Sequence, residues 1–131
     1  MGELSGGKAA DASYSIGLKR IYEPADPADG YRILVDRLWA RGVTKEQAAI
    51  DEWMKDIAPS PALRRWFGHL PERFTAFKER YTRELEENPA CAGLAESIRE
   101  RALEQKVTLV YAAKDPVHNH ANVLQEWLIS R

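Results

Sequence analysis

Two segments of the chain, 36–42 and 114–120, concentrate side chains that could take part in chemistry. Carboxylate and imidazole groups transfer protons near neutral pH, and arginine and lysine bind phosphate or carboxylate groups. The residues that we take as candidates for proton transfer are Asp36, Asp115 and His120. The residues that we take as candidates for ligand binding are the cations Arg37, Arg41 and Lys114, together with His69 and His118. This pattern favours a site for a small anionic molecule, such as a nucleotide or another phosphate-bearing compound.

Each of these residues also has a structural explanation. Asp36 and Asp115 can form ion pairs with the neighbouring cations, and His120 can cap the apolar face of a helix and bond a carbonyl oxygen. A metal site is a further alternative, but a spacing of two residues points His118 and His120 to different sides of a helix. They converge only if His118 precedes the helix. The ligand set would then be completed by Asp36, Asp115 or His69, and we predict no metal site.

A third segment allows a nucleic-acid interpretation. Arg64 and Arg65 stand beside Trp66, and arginines next to an exposed aromatic ring suit phosphates and stacked bases. In the same helix, however, Leu63 and Phe67 are spaced to face a core. We therefore expect the two arginines to form a solvated helix face.

The elements that must position these residues are strands and helices in alternation. Apolar runs predict strands over 16–22, 31–38 and 107–112, the middle one apolar on both faces. Capping residues, prolines and 3.6-residue periodicity predict helices that begin near Thr44, Ser60, Pro71, Ala90 and Asn119. The segment 53–57 is either a short strand or a helical turn.

This order predicts an α/β domain with a small, mostly parallel, Rossmann-like sheet of about three or four strands flanked by helices. In such sheets ligands bind beyond the carboxyl ends of the strands, where both polar segments lie. No glycine-rich dinucleotide fingerprint follows a strand. A nicotinamide or flavin cofactor therefore has no support, and the sequence names no other cofactor.

Composition narrows the class of protein further. The 131 residues are 44% hydrophobic and 30% charged, as in ordinary globular domains. We expect one domain over residues 16–131 behind a disordered tail over residues 1–15. The single cysteine, Cys91, lies on an apolar helical stripe, so we expect it to be buried and unreactive.

Charge and hydropathy limit the partners. The formal net charge of −1 argues against general nucleic-acid binding, because such proteins usually carry a basic excess; local basic patches stay compatible with it. No apolar run is long enough for a membrane span or a signal peptide. We expect a cytoplasmic protein without a membrane partner, and the sequence does not decide its oligomeric state.

Several long motifs are shared with one known family. They are Lys-Arg-Ile-Tyr-Glu-Pro at 19–24, Asp-Gly-Tyr-Arg-Ile-Leu-Val-Asp-Arg-Leu-Trp-Ala-Arg-Gly at 29–42, Trp-Met-Lys-Asp-Ile-Ala-Pro-Ser at 53–60, Leu-Arg-Arg-Trp-Phe-Gly-His at 63–69 and Tyr-Ala-Ala-Lys-Asp-Pro-Val-His-Asn-His-Ala at 111–121. From about residue 17 to the C-terminus the chain resembles the YeaO-like family (domain of unknown function 488). The resemblance implies a pocket between the two strand ends and supplies no reaction.

The chain departs from the family pattern at two places. Ala40 stands where the family usually has proline, and Leu70 where it usually has aspartate, which weakens any mechanism that needs an acid beside His69. A broader branch of the superfamily carries Asp-x-Arg at the central strand end and Cys-His-Arg near the last helix. The comparable segments here are 36–37 and 119–121, the latter Asn-His-Ala. The cysteine chemistry of that branch is therefore not carried over.

Three hypotheses follow. The first is an enzyme or ligand-binding domain for a small anion at the strand ends, which requires Asp36 and His120 to lie in one site. The second is a nucleic-acid or regulatory module that uses the segment 64–66. The third is a homodimeric interaction domain whose surface aromatic residues pack against a second copy.

Overall fold

Four short segments pair into one sheet in the computed structural model, which describes residues 14–130. The strands are β1 (Ile16–Arg20), β2 (Tyr31–Leu34), β3 (Glu52–Trp53) and β4 (Val107–Tyr111). All pairings are parallel, in the order β1-β4-β2-β3. The predicted α/β class and small parallel sheet are confirmed. Because β4 lies beside β2, the chain leaves these two strands at neighbouring points on one edge.

The helices begin and end at the residues that cap them. Within residues 14–130 the α-helices are α1 (Lys45–Ala48), α2 (Pro61–Phe67), α3 (Phe74–Glu87), α4 (Pro89–Glu104) and α5 (His120–Ser130). The Thr44 side chain accepts the amide of Gln47, and the Gln47 side chain accepts the amide of Thr44, which is the predicted capping box. Ser60 caps α2, and Gly68 ends it in the left-handed conformation (φ 55°).

The two faces of the sheet are covered unequally. Ile33 and Leu109 face the main core, where α2, α3, α4 and α5 pack. Leu34 and Val110 face a smaller core closed by Ala48 of α1 and the loop around it. This alternation is the predicted apolar pattern on both faces of a central strand. Each fully buried aliphatic or aromatic side chain contributes about 1.5–3 kcal/mol, so the larger layer holds most of the stability.

The second strand is shorter than predicted. The prediction placed 31–38 in one strand, but β2 ends at Leu34 and Leu38 is 65% exposed. The Val35 amide still bonds the Val110 carbonyl, after which the Asp36 carboxylate accepts the Ala112 amide. The Asp36 side chain therefore accepts the Ala112 amide, which a backbone carbonyl would accept if β2 were longer. The strand ends where the polar segment begins.

Smaller differences concern the ends of other elements. The ambiguous segment 53–57 contains both alternatives, the end of β3 and a 3-10 turn over Lys55–Ile57. A 3-10 turn over Pro71–Arg73 precedes α3. Of the predicted tail, residues 1–13 lie outside the described residues. The Ser15 amide donates to the Ala102 carbonyl, and its own carbonyl accepts the Val107 amide.

A buried charge cluster ties the opposite edge of the sheet together. Arg32 is 4% exposed and donates to Asp29 (2.7 Å) and to the Ala48 carbonyl (2.7 Å). Lys19 also donates to Asp29. Burial raises the pKa of Asp29, but the hydrogen bonds from the Asp26 amide, Lys19 and Arg32 together lower it by more than burial raises it. The pKa of Asp29 therefore lies below its usual value. This cluster anchors α1 to the sheet, away from the predicted site.

Candidate functional site

An open cleft of about 660 Å³ lies at the carboxyl edge of the sheet. Its walls are the loops that follow β1, β2 and β4 together with the C-terminal end of α2. Seven of the eight predicted site residues line it: Asp36, Arg37, Arg41, His69, Lys114, Asp115 and His120. A smaller recess of about 60 Å³ continues from the cleft beneath His69 and His120, against Phe67 and Phe77. The eighth residue, His118, does not line the cleft.

Asp36 and His120 form the back of the cleft. The His120 Nε2 atom lies 2.9 Å from Asp36 Oδ1 and 3.2 Å from the Val35 carbonyl oxygen. The N–H direction favours Val35, so Asp36 Oδ1 is buried without a well-directed hydrogen bond although the contact is short. The other carboxylate oxygen accepts the Ala112 amide at 3.0 Å. The first hypothesis required Asp36 and His120 to share one site, and the structure meets that requirement.

The surroundings of His120 determine which ring nitrogen carries the proton. Both neighbours of Nε2, the Val35 carbonyl and the Asp36 carboxylate, are hydrogen-bond acceptors. The neutral ring is therefore protonated on Nε2, and Nδ1 is left to accept a hydrogen bond. Both side chains are about 15% exposed, at 15% for Asp36 and 16% for His120, so the pair is held by packing as well as by contact.

The cations of the cleft outnumber its carboxylates. Four cationic side chains and two aspartates line it, the cations being Arg37, Arg41, Arg64 and Lys114. The proposed alternative, that the two aspartates pair with these cations, is wrong for residues 14–130: Asp36 contacts His120, and Asp115 contacts His118. Three of the cations are exposed and form no ion pair in the described part of the chain, namely Arg41, Arg64 and Lys114.

Arg37 differs from the other three cations because the backbone holds it. Its Nη2 atom donates to the carbonyls of Ala58 (3.2 Å) and Pro59 (3.3 Å). Its Nε atom is buried without a partner among the described residues. Arg37 thereby fixes the segment that forms one wall of the cleft and places positive charge behind it.

Asp115 orders the loop that carries Lys114. One carboxylate oxygen accepts the amides of His118 and Val117, and the other lies 2.8 Å from His118 Nδ1. The backbone hydrogen bonds from His118 and Val117, with the His118 side chain, lower the pKa of Asp115 to about 2. His118 packs edge-on against Phe74, with ring centroids 5.2 Å apart. Asp115 is thus held as a carboxylate that shapes a turn.

His69 has an unusual backbone conformation at the cleft wall. Its φ is 60°, directly after Gly68, and a left-handed non-glycine residue is uncommon. The turn brings the ring against Phe67, with centroids 6.2 Å apart. Leu70, where the family usually has an acid, is 37% exposed.

The cleft also contains residues that the sequence analysis did not select. Tyr22 and Trp39 line it, each after a strand at the same edge. The argument from strand ends that selected Asp36 applies to them equally, but only charged and histidine side chains were taken as candidates. Arg64, which the sequence analysis placed on a solvated helix face, is exposed and lines the cleft.

The segment 64–66 does not present a free aromatic surface. Leu63 and Phe67 are buried, as predicted. The Trp66 ring is covered by the guanidinium groups of Arg80, 4.0 Å from the ring centroid, and Arg73, 5.2 Å from it. Guanidinium groups thus already occupy at least one face of this half-buried indole, which counts against the second hypothesis.

Other reactive groups lie outside the cleft. Cys91 is 4% exposed, as predicted, and its pKa is raised, chiefly by burial. It borders a separate cavity of about 300 Å³ between α3 and α4. Within residues 14–130 no three His, Cys, Asp or Glu side chains are grouped to hold a metal ion. No helix in this part of the chain has the length and apolarity needed to cross a membrane.

Two relatives share most of the chain. It is 44% identical over 116 residues to the uncharacterised protein YeaO of Escherichia coli (strain K12), covering 88% of this chain and 98% of that protein. It is 43% identical over 112 residues to the uncharacterised protein Rv3073c of Mycobacterium tuberculosis (strain H37Rv), covering 86% and 92%. No solved structure matches the chain significantly.

One family matches nearly the whole described fold. Its description reads "Inactive DUF488-N3 subclade", and the match covers residues 15–131. The absence of a cysteine before His120, where the chain has Asn119, agrees with that description. The chain therefore belongs to the inactive DUF488-N3 subclade of the YeaO-like domains of unknown function.

Proposed function

We propose that the cleft binds a small anionic, phosphate-bearing molecule without transforming it. The observation that carries this proposal is the group of exposed cations without ion-pair partners, Arg41, Arg64 and Lys114, around one concave site. Because no carboxylate among the described residues pairs with these cations, they are available to bind an anionic ligand in the cleft. A volume of about 660 Å³ falls within the usual range of about 300–1,000 Å³ for small-molecule sites.

The arrangement favours binding over catalysis. Asp115 is held as a carboxylate in a turn, so it is a poor proton donor near neutral pH. The position before His120 carries an amide side chain, not a nucleophile. The family description names an inactive subclade. We therefore assign His120 and Asp36, first considered for proton transfer, to ligand recognition.

Each residue has a distinct role in this proposal. Arg41, Arg64 and Lys114 hold the anionic group, which bidentate arginine contacts suit well. Arg37 and His69 shape the walls, and Asp36 holds His120 with Nδ1 free to accept a hydrogen bond from the ligand. His118 acts indirectly through the Asp115 turn. We place this function in the cytoplasm, where a reduced Cys91 is expected.

The test compares the effects on ligand binding of replacing two neighbouring arginines on the same helix. Arg64 lines the cleft and Arg65 does not, although both are exposed. With pyrophosphate as the probe, we expect Arg64→Ala and Lys114→Ala each to weaken binding about tenfold, the lower end for a hydrogen bond to a charged group. Arg65→Ala should change it less than about twofold, because exposed charges are screened within about 8–10 Å.

Isothermal titration calorimetry at about 150 mM salt, where the screening length is about 8 Å, measures these affinities, and thermal shift provides a second readout. A probe at about 100 times its dissociation constant should stabilise the fold by about 2.7 kcal/mol, which is several degrees. Equal losses in Arg64→Ala and Arg65→Ala would show that the anion binds diffusely. Absence of any heat or shift with phosphate, pyrophosphate or sugar phosphates would overturn the proposal.

A further inference from the structure

The mouth of the cleft holds an aromatic ring that an inorganic anion does not need. Tyr22 is 46% exposed, and it lines the same cleft as Arg41 and Lys114. An exposed tyrosine can stack on a ligand only if the ligand also has a planar ring, because aromatic stacking takes place between two rings. The position of Tyr22 therefore concerns the part of the ligand that is not the phosphate.

Two contacts fix the Tyr22 ring in place, and a third anchors one of its partners. Its hydroxyl donates to the Arg41 carbonyl at 2.9 Å. The Arg20 guanidinium lies over the ring, 4.6 Å from its centroid. Arg20 is itself anchored, because its Nε donates to the Ala113 carbonyl at 2.9 Å. The ring thus joins the loops after β1, β2 and β4, and one of its faces is already covered by a cation.

The fixed Tyr22 ring, 46% exposed and with a cation over one face, resembles half of a stacking sandwich. Holding the ring in advance removes the side-chain entropy that a ligand would otherwise have to overcome. Trp39 adds a second aromatic wall, and its indole N–H donates to the Val43 carbonyl at 2.7 Å. Exposed cations and fixed aromatic rings together are the combination that binds phosphates and bases.

We propose that the ligand is a nucleotide, whose base stacks on Tyr22 while its phosphate contacts Arg41, Arg64 and Lys114. This inference rests on the proposed anion-binding function and narrows its ligand class. At the back of the cleft, His120 Nδ1 accepts a hydrogen bond from a ribose hydroxyl or an exocyclic amine. The cleft is of small-molecule size, so one nucleotide occupies it and a longer strand gains little.

The experiment compares ligands that differ by one part at a time. Adenosine monophosphate, ribose 5-phosphate, pyrophosphate and a short single-stranded oligonucleotide are titrated into the full chain by calorimetry. We expect adenosine monophosphate to bind about tenfold more tightly than ribose 5-phosphate, in the range found for one stacked base. The oligonucleotide should bind no more than about threefold more tightly than the mononucleotide.

Variants of Tyr22 separate the ring from its hydroxyl. Tyr22→Leu and Tyr22→Phe both lose the hydroxyl bond to the Arg41 carbonyl, so they should bind pyrophosphate within about twofold of each other, whereas only Tyr22→Leu should lose the tenfold preference for adenosine monophosphate. Tyr22→Phe keeps the ring and should retain at least half of the affinity. The side chain is exposed, so neither change removes core packing.

The outcomes distinguish this inference from the function on which it rests. If pyrophosphate binds but ribose 5-phosphate matches adenosine monophosphate, or Tyr22→Leu binds adenosine monophosphate as tightly as Tyr22→Phe does, the nucleotide inference is overturned and anion binding stands. If an oligonucleotide binds more than tenfold better than the mononucleotide, the ligand is a nucleic-acid strand and the inference is again overturned. If none of the four ligands binds, both proposals fail.

Discussion

Replacing Asp36 by alanine tests whether the back of the cleft is an interacting pair. The change removes the acceptor of the Ala112 amide and the carboxylate beside His120 Nε2. A hydrogen bond to a charged group contributes about 1.5–3 kcal/mol, and an amide left unpaired adds a desolvation cost. The carboxylate itself loses hydration on folding, which offsets part of the gain. We expect a net loss of about 2–4 kcal/mol.

That loss converts into a measurable shift of the melting temperature. For a domain of about this length, the unfolding entropy is such that a loss of about 1 kcal/mol in the free energy of unfolding lowers the melting temperature by about 4 °C. Asp36→Ala should therefore melt roughly 8–16 °C below wild type. Asp56→Ala is the control, because Asp56 is an exposed carboxylate near the same edge, and surface substitutions stay within about 0.5 kcal/mol.

A double-mutant cycle isolates the contact between the two side chains. Urea unfolding of Asp36→Ala, His120→Ala and the double variant should give a coupling free energy of about 1 kcal/mol. Independent sites add within about 0.3–0.5 kcal/mol, so a coupling below that range would refute the interaction. A loss under 1 kcal/mol for Asp36→Ala alone would refute the assigned role of the Ala112 bond.

Two further predictions concern titrating groups elsewhere in the fold. The folded-state pKa values of Asp29 and Asp115 lie below their usual value of 3.8, so their stabilisation is complete above that value and is lost as the pH falls toward 2. In the double variant Asp29→Asn/Asp115→Asn, the urea concentration at the unfolding midpoint should fall less steeply below about pH 4 than in the wild type. An unchanged slope of this midpoint against pH would contradict the prediction. Because burial raises the Cys91 pKa, a thiol reagent at pH 7.5 should modify native protein at least about tenfold more slowly than unfolded protein; equal rates contradict it.

Local signals in the sequence were sufficient for most elements. The Thr44 capping box, the Ser60 cap and the Gly68 helix end depend on residues within a few positions of one another, so the chain encodes them without tertiary contacts. Alternation of apolar residues located the two central strands for the same reason. The length of β2 was different, because it ends where the Asp36 carboxylate takes an amide from β4.

The general place of the site also followed from the sequence. Parallel strands end at a common edge, so polar segments after two strands were expected to meet. Seven of the eight selected residues line one cleft. His118 was the exception because its ring turns back to Asp115, three residues earlier, and periodicity carries no information about that rotamer.

What the sequence by itself determined is the α/β class, the helix ends and the edge of the sheet at which most of the candidate residues meet, because these follow from short-range pattern and strand direction. Only the tertiary structure decided which charges pair. Asp36 and His120 are 84 positions apart, and β4 must insert beside β2 before they touch. The same insertion brings Tyr22 against Arg41. Partner choice among distant polar groups depends on three-dimensional distance and direction, which no one-dimensional spacing encodes.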